Sequence, residues 1–168
     1  MKITIPLYLF AALLLSPLGA NGQGKVLPFK SPLTGSVYIV PIEGMIDNGL
    51  ASYITRAIGD AEANGAGLIV FDIDTFGGLV DAADVIRQAI LNTELATVAF
   101  IDKNAASAGA LISYAADRIV MVPGSSIGAA TVVEGVGGNA APDKYQSYMK
   151  GIMRTTAEAN GRDPLIAE

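Results

Sequence analysis

A serine at the start of a short run of small residues is the first candidate for chemistry in this chain. Ser107 lies in the run NAASAG, residues 104–109, where the pattern predicts that a strand ends and a helix begins. Backbone N–H groups at a helix start are unpaired and favour negative charge, so the amide of Ser107 or of Ala108 is suited to hold an oxyanion. The alternative is that Ser107 is an ordinary helix N-cap, a position that serine commonly fills.

Two adjacent glycines form the second candidate feature. Gly77 and Gly78 follow an apolar run that ends at Asp74. Paired glycines let a backbone turn sharply and approach a ligand closely, so they are candidates for a second oxyanion donor. The adjoining chain is suited to bind an extended peptide along its edge. The alternative is a plain tight turn over residues 75–78. A phosphate-binding loop is disfavoured, because neither glycine-rich nucleotide fingerprint is present.

The base that would activate such a serine is restricted by composition. The chain has no histidine and no cysteine, which excludes a Ser-His-Asp triad, a Cys-His dyad and most zinc sites. A lysine among apolar groups can replace histidine, because burial lowers its pKa. Beyond residue 22 the candidates are Lys25, Lys30, Lys103, Lys144 and Lys150. Each is alternatively a solvated surface lysine, so the residues alone leave the choice open.

The charged residues give no sign of another kind of site. Asp72 and Asp74 alternate along a predicted strand, and Asp81 and Asp84 stand in the first turns of a predicted helix, where they complement its dipole. No pair is selected for a two-carboxylate hydrolase, and no metal, nucleotide or other cofactor is expected. The net charge of -5, with scattered lysines and arginines, argues against binding nucleic acid.

The N-terminal segment is typical of a secretory signal. In residues 1–22, Lys2 precedes an apolar stretch at residues 3–15, and small residues follow before Asn21. The stretch is shorter than the ~20 residues that a membrane-spanning helix needs. We therefore predict an exported, periplasmic or otherwise extracytoplasmic domain, with residues 23–35 as an irregular leader. The alternative is an uncleaved anchor or a buried helix.

Alternating strand and helix patterns must position these groups. Strands are predicted at residues 36–42, 68–74, 97–101 and 118–122, and helices at 47–64, 79–92, 106–116 and 143–160. A glycine-rich loop with a short strand is predicted at residues 125–141. This order predicts an α/β fold with a mostly parallel sheet, whose ligands gather at the carboxyl ends of the strands. Residues 75–78, 104–109 and 125–130 all lie there.

Three motifs in this order resemble the NfeD family of membrane-bound, Clp-class serine proteases. They are DTFGG at residues 74–78, AASAG at 105–109 and PGSSIGA at 123–129, and the resemblance covers residues 36–168. The motifs are shared more loosely with the Clp proteolytic subunit and signal-peptide peptidase A. The resemblance implies a Clp/crotonase-like spiral fold and a Ser-Lys dyad. Ser107 matches the nucleophile of the family. Lys144 matches its base, because a similar lysine precedes a helix that ends in a Gly-Arg pair, here Gly161 and Arg162.

The resemblance also implies the rest of the site. The oxyanion hole is expected at Gly77, Gly78 and Ala108, and substrate-binding residues at Phe76, Leu79, Ile127 and Gly128. Phe76 stands where the family usually has proline. The resemblance implies apolar peptide substrates, a stomatin-like membrane partner and a homo-oligomer of two or more copies. Family members commonly continue into transmembrane helices and a small β-barrel domain, so the protease domain at 36–168 is expected to be cut short at its C-terminus.

The predicted function is therefore a serine endopeptidase that cleaves apolar segments of membrane-associated proteins. A rival function is a proteolytically inactive binding module of the same fold, which grips an apolar segment of a stomatin-like partner. A weaker alternative is a crotonase-like acyl-thioester enzyme, whose substrate an exported protein would rarely meet.

Overall fold

Five parallel strands form the main sheet of the protein. The computed structural model describes residues 28–134 and 139–167, so the predicted signal at residues 1–22 lies outside the described residues. The strands are β1 (Val37–Ile46), β2 (Leu68–Gly78), β3 (Ala96–Ala106), β4 (Arg118–Met121) and β5 (Ser126–Gly128). They are ordered β1-β2-β3-β4, and β5 pairs with the last residues of β3 beyond β4. The predicted α/β class with a mostly parallel sheet is confirmed.

Helices follow the strands and supply the crossovers that parallel pairing requires. They are α1 (Asn48–Ala63), α2 (Val80–Asn92), α3 (Ala108–Ala115), α4 (Asp143–Ala159) and α5 (Pro164–Ala167). A short antiparallel pair, β6 (Val133–Glu134) and β7 (Asn139–Ala140), precedes α4. Helix α1 begins as predicted, because the Asp47 carboxylate accepts the N–H of Leu50 at 2.8 Å. Within the described ranges, no helix has the length and apolar character needed to cross a bilayer.

The main core lies between one face of the sheet and the helices. Fully buried isoleucines of β2 and β3, Ile73 and Ile101, share this core with Ile54 of α1, Ile86 of α2 and Leu111 of α3. The helical periodicity of the sequence is thus confirmed for most positions. Val85 is an exception, because an apolar residue of α2 is expected to face inward and its side chain is 51% exposed.

The described part of the predicted leader, residues 28–35, is irregular and packs on the opposite face of the sheet. Phe29 and Leu33 cover a smaller core of strand residues there. Lys30 donates to the carbonyl of Ile90 near the end of α2 at 3.3 Å, and its Nζ lies 3.6 Å from the buried carboxylate of Asp117. Lys30 therefore anchors the leader to the end of α2 and to the residue that precedes β4.

The strands next to the candidate site are longer than predicted. Strand β2 continues to Gly78, so the predicted tight turn at residues 75–78 is wrong, and β3 continues to Ala106. Strand β1 continues through Gly44 to Ile46, beyond its predicted end at residue 42. The register shifts beside Gly44 and again before Thr75, and such irregularities let a strand bend and continue past the point where its regular pattern stops. The motif glycines therefore lie within a strand.

Candidate active site

Ser107 lies between the end of β3 and the start of α3, in a conformation that few non-glycine residues adopt. Its φ is 53° and its ψ is -116°. Such backbone strain costs about 1–3 kcal/mol and persists only where the surrounding structure imposes it. Here the N–H of Ser107 donates to the carbonyl of Gly128 in β5 at 2.7 Å. The strand pairing on both sides thus holds the serine in its strained conformation.

The hydroxyl of Ser107 does not cap the helix. Ser107 occupies the N-cap position of α3, but its side chain makes no capping hydrogen bond. Among the described residues, no hydrogen bond to Ser107 Oγ is found. The alternative of an ordinary N-cap is therefore wrong. Because its own N–H is bound to Gly128, Ser107 is also excluded as an oxyanion donor, and Ala108 is left.

Ala108 provides the first backbone donor of α3. The N–H groups of Ala110 and Leu111 both donate to the carbonyl of Ser107, at 3.0 and 3.4 Å. Ala108, nearer the N-terminus, has no acceptor within the helix. Its amide is therefore suited to hold negative charge that develops next to Ser107 Oγ.

Gly77 lies directly against the Ser107 side chain. A Cβ atom at Gly77 would stand 2.7 Å from Ser107 Cβ and 3.1 Å from Oγ, and the φ of Gly77 is 108°. The N–H of Gly77 donates to Thr75 Oγ1 at 3.0 Å. This amide is therefore already hydrogen-bonded. What Gly77 provides is space, because any side chain at this position would collide with Ser107.

Gly78 has the better placed amide of the pair. The next amide along the chain, that of Leu79, donates to Ile46 of β1 at 2.8 Å. Successive N–H groups of an extended strand point to opposite edges, so the N–H of Gly78 points away from β1, toward the side on which β3 and Ser107 lie. The amides of Gly78 and Ala108 thus flank the serine from two different elements.

Lys103, a candidate base from the sequence, is held in an ion pair. Its Nζ lies 2.9 Å from the carboxylate of Asp74. The hydrogen bond that Lys103 donates to Asp74 raises the pKa of Lys103, and the same bond lowers the pKa of Asp74. A general base must lose its proton near neutral pH, so the shift at Lys103 has the wrong direction. Lys30, which anchors the leader, lies against the C-terminal end of α2.

Lys144 and Lys150 lie on α4 and have different surroundings. Lys144 is exposed in the first turn, with its Nζ 4.8 Å from the ring centroid of Tyr145. The described contacts include no hydrogen bond between Lys144 and Ser107. Lys150 lines a cleft of about 450 Å³ together with Ile127 and Gly128. The structure therefore brings Ser107 together with the predicted glycines and Ala108, and does not bring Lys144 into direct contact with Ser107 Oγ.

The predicted substrate-binding residues flank the serine on two sides. Phe76 and Leu79 are 80% and 51% exposed. Met45 of β1, which pairs with Gly77, is 66% exposed and extends the same apolar surface. Ile127 and Gly128 line the cleft on the other side, where Met149 and Met153 of α4 complete an apolar wall. The sequence analysis missed these three methionines, because only the strand register and the packing of α4 bring them to the site.

The residues after α4 hold the other end of α3. Asn160 Nδ2 donates to the carbonyls of Tyr114 and Ala115, at 2.9 and 3.0 Å. The Arg162 guanidinium donates to the carbonyls of Tyr114 and Ala116, at 2.9 and 2.7 Å. Burial lowers the pKa of Arg162 from its usual range. A cation at a helix C-terminus is favourable, so the Gly-Arg pair locks the helix that begins at Ser107.

An acidic surface lies on the leader side of the sheet. Burial raises the pKa of Asp72, and repulsion from Asp102 and Glu43 adds to that shift. In the described part of the chain, no group of three or more acidic, histidine or cysteine residues is arranged to hold a metal ion.

Comparison of sequences identifies relatives of known type. Residues 36–168 match the family described as NfeD1b, N-terminal domain. The chain is 42% identical over 132 residues to the membrane protein NfeD1b of Bacillus subtilis, and 33% identical over 139 residues to the membrane-bound protease PH1510 of Pyrococcus horikoshii. Each alignment covers 79% of this chain but only 30% and 32% of those proteins.

Comparison of structures gives the same family and the fold. The chain superposes with a TM-score of 0.73 on a lysine-to-alanine mutant of the 1510-N membrane-bound stomatin-specific protease in complex with a substrate peptide. The two chains are 31% identical, and the match covers 78% of this chain and 63% of that one. A serine-to-alanine mutant of the same protease has a TM-score of 0.72. ClpP1 from Listeria monocytogenes matches at 24% identity with a TM-score of 0.56, over 77% of this chain and 75% of that one, which establishes a Clp-like fold.

Proposed function

Because the chain belongs to the NfeD1b N-terminal domain family, we propose that it is a serine endopeptidase, with Ser107 as nucleophile and Lys144 as general base. The observation that carries the proposal is the strained Ser107, whose hydroxyl is left uncapped beside the free amide of Ala108. Strain of this kind clusters at catalytic positions because the fold must impose it. The protease relatives, studied with a serine and a lysine replaced by alanine, support the same pair of residue types.

In the proposed first step, the neutral amine of Lys144 takes the proton of Ser107 Oγ as the oxygen attacks a peptide carbonyl. The carbonyl π bond opens, and its electron pair moves onto the oxygen. The amides of Gly78 and Ala108 hold this oxyanion, a contribution that strengthens as the charge develops. Collapse of the intermediate breaks the C–N bond, and the Lys144 ammonium donates its proton to the leaving amine.

The second step releases the acyl group. Water replaces the departed amine, and Lys144 accepts a proton as the water oxygen attacks the ester carbon. The same two amides hold the second oxyanion. The bond from the ester carbon to Ser107 Oγ then breaks, and the serine recovers its proton from Lys144.

The Lys144 side chain must come closer to Ser107 for this mechanism to work. It stands one residue after Asp143, the first residue of α4, on a four-carbon stem that is exposed and loosely held against Tyr145. Catalytic hydrogen bonds are often long in unliganded enzymes and tighten when substrate binds. An apolar peptide along the site would also exclude water from the space between the two side chains.

The preferred substrate is proposed to be an apolar peptide segment. Phe76, Leu79 and Met45 present an apolar surface on one side of Ser107, and the cleft wall at Ile127 presents another. Because 1510-N is described as specific for a stomatin homolog, a stomatin-like membrane protein is the proposed partner. An exported, membrane-associated location and assembly into a homo-oligomer belong to the same proposal.

A serine-reactive probe tests the nucleophile. A fluorophosphonate should label the wild-type chain at Ser107, as located by mass spectrometry. Ser107→Ala should not be labelled. Its rate of hydrolysis of an apolar fluorogenic peptide should fall by about 10⁶-fold, as in other serine proteases that lack their nucleophile. The matched control is Ser52→Ala, which removes an exposed helix hydroxyl bonded to Asn48 and should change neither result. Undiminished hydrolysis by Ser107→Ala would reject the assignment.

A lysine series tests the base. Lys144→Ala should lower kcat by about 10²–10⁴-fold, the usual contribution of a general base. Lys103→Ala should stay within about threefold of wild type, since its ion pair with Asp74 keeps it protonated. If Lys150→Ala abolishes turnover while Lys144→Ala does not, the base is Lys150 and the proposed dyad is wrong.

The second candidate function is a binding module without catalysis. The observation that favours it is the exposure of Lys144, which has no hydrogen bond to Ser107. In that case the wild-type chain would bind an apolar peptide with the same Kd as Ser107→Ala, and the probe would label neither protein. Labelling of Ser107 in the wild type distinguishes the enzyme from the binder.

A further inference from the structure

A buried threonine links the three pieces of backbone that form the candidate site. Thr75 of β2 is only 1% exposed. Its hydroxyl donates to the carbonyl of Gly44 in β1 at 2.5 Å and accepts the N–H of Gly77 at 3.0 Å. The Thr75 hydroxyl thus donates to one glycine and accepts from another, and the second of these lies against Ser107.

The irregular strand pairing explains why a hydroxyl is needed at this position. The β1–β2 register shifts between Glu43 and Met45, on either side of Gly44. The β2–β3 register shifts between Ile73 and Thr75. A shift of this kind leaves backbone groups without ladder partners, and buried backbone groups require partners. The hydroxyl of Thr75 supplies a donor and an acceptor where the ladders fail.

The methyl group of Thr75 reaches the helix that follows Ser107. A Cβ atom at Gly109 would stand 2.5 Å from Thr75 Cγ2, so this methyl lies against the backbone of the first turn of α3. The neighbouring residue on that turn is Ala108, one proposed oxyanion donor. The other proposed donor, Gly78, follows directly on the glycine whose amide Thr75 binds. Thr75 therefore contacts both segments that carry the oxyanion donors.

We propose that Thr75 is a positioning residue that sets the geometry of the oxyanion hole, an inference that rests on the proposed peptidase function. Its hydroxyl holds the Gly77 amide toward β1, which turns the following amide of Gly78 toward Ser107. Its methyl packs against the backbone at Gly109, next to Ala108, and adds a smaller contribution than the hydroxyl. The hydrogen bonds of the Thr75 side chain go to Gly44 and Gly77, so Thr75 acts through the glycine-bearing segments.

The expected kinetic signature is specific. An oxyanion hole acts mainly in the transition state, so its distortion lowers kcat and leaves KM nearly unchanged. Thr75→Val keeps the shape and removes the hydroxyl, and it should lower kcat by about 10–100-fold, less than loss of a whole oxyanion donor. Thr75→Ser keeps the hydroxyl and should remain within about fivefold of wild type, since a positioning role resides mainly in the hydrogen bonds.

Thr97→Val is the matched control. Thr97 is also fully buried in the sheet, and its hydroxyl accepts the N–H of Asp117 at 2.9 Å, but it lies at the opposite end of β3 from Ser107. Both valine variants lose one buried hydrogen-bonded hydroxyl and should unfold at similarly lowered temperatures. Only Thr75→Val should have a lower kcat for hydrolysis of the apolar peptide and a slower rate of labelling at Ser107.

Equal kcat in the two valine variants would overturn the proposal for Thr75. If Thr75→Val does not fold, Gly109→Ala replaces it, because its new methyl collides with Thr75 Cγ2. The double variant Thr75→Ser with Gly109→Ala removes the collision and should recover at least tenfold in kcat, and no recovery would also overturn the proposal. If the wild-type chain is neither labelled at Ser107 nor active, the proposed function fails, and the role of Thr75 fails with it.

Discussion

The substitution Gly77→Ala adds a single methyl group directly against the proposed nucleophile. The new Cβ would stand 2.7 Å from Ser107 Cβ, 3.1 Å from Oγ and 3.2 Å from the carbonyl oxygen of Ala106. Ordinary contacts between carbon atoms lie at about 3.5–4.0 Å, so the two segments must separate by roughly 1 Å. Because Ser107 and the amide of Gly78 belong to those segments, the separation moves the proposed nucleophile away from one of its proposed oxyanion donors.

Two costs follow from this change, and a control separates them. An alanine at a φ of 108° is strained, by about 1–2 kcal/mol on the scale of left-handed backbone. Gly124→Ala has similar strain, since the φ of Gly124 is 91°, but no atom lies within 4 Å of its added Cβ. The collision adds about 1–3 kcal/mol to the loss of stability in Gly77→Ala alone. A misplacement of 1 Å costs about 10²-fold in rate, so we expect kcat/KM to fall about 100-fold relative to Gly124→Ala.

The assay combines three measurements on both variants: thermal unfolding, hydrolysis of the apolar peptide, and the rate at which the fluorophosphonate labels Ser107. The expected result is a modest loss of stability in both variants and a large loss of reactivity in Gly77→Ala alone. If Gly77→Ala remains folded and hydrolyses the peptide within threefold of Gly124→Ala, then Gly77 does not control the approach to Ser107, and the geometry proposed for the site is wrong.

Two further predictions concern the surroundings of the site. Arg162→Met should lower the free energy of unfolding, measured by urea titration, by about 2–3 kcal/mol, because it removes charge-assisted hydrogen bonds to the last carbonyls of α3. The control is Arg56→Met on the exposed face of α1, which should change the free energy of unfolding by less than about 0.5 kcal/mol. Equal effects would show that Arg162 does not hold the helix. Asp72→Asn should raise the melting temperature at pH 7. Burial raises the pKa of Asp72 in the folded state, so the wild type loses stability as the pH rises above the ordinary aspartate pKa and the carboxyl ionises. The gain should vanish near pH 3, below the ordinary aspartate pKa of about 3.9, where the carboxyl is protonated in both states. A gain that is equally large at pH 3 would contradict this explanation.

Much of the fold follows from local patterns. The helices over residues 47–64 and 143–160 were predicted to within a residue or two, because their caps and their 3.6-residue periodicity act within one segment. The strand ends near the site were not, since the continuation of β2 past Thr75 depends on pairing with β1 and β3. A glycine pair signals a turn locally, whereas the ladder partners of Gly77 and Gly78 keep them in a strand.

The sequence by itself determined the chemistry that is available. Without histidine or cysteine, a serine hydrolase must take its base from a lysine, a carboxylate, a tyrosine or a terminal amine. The three motifs identify the family and the nucleophile candidate. The tertiary structure decided which groups are free to act. It bound the amides of Ser107 and Gly77, placed Ala108 at the first position of α3, and paired Lys103 with Asp74. Whether a group is free depends on partners that are distant in the chain, and only the folded sheet brings those partners together.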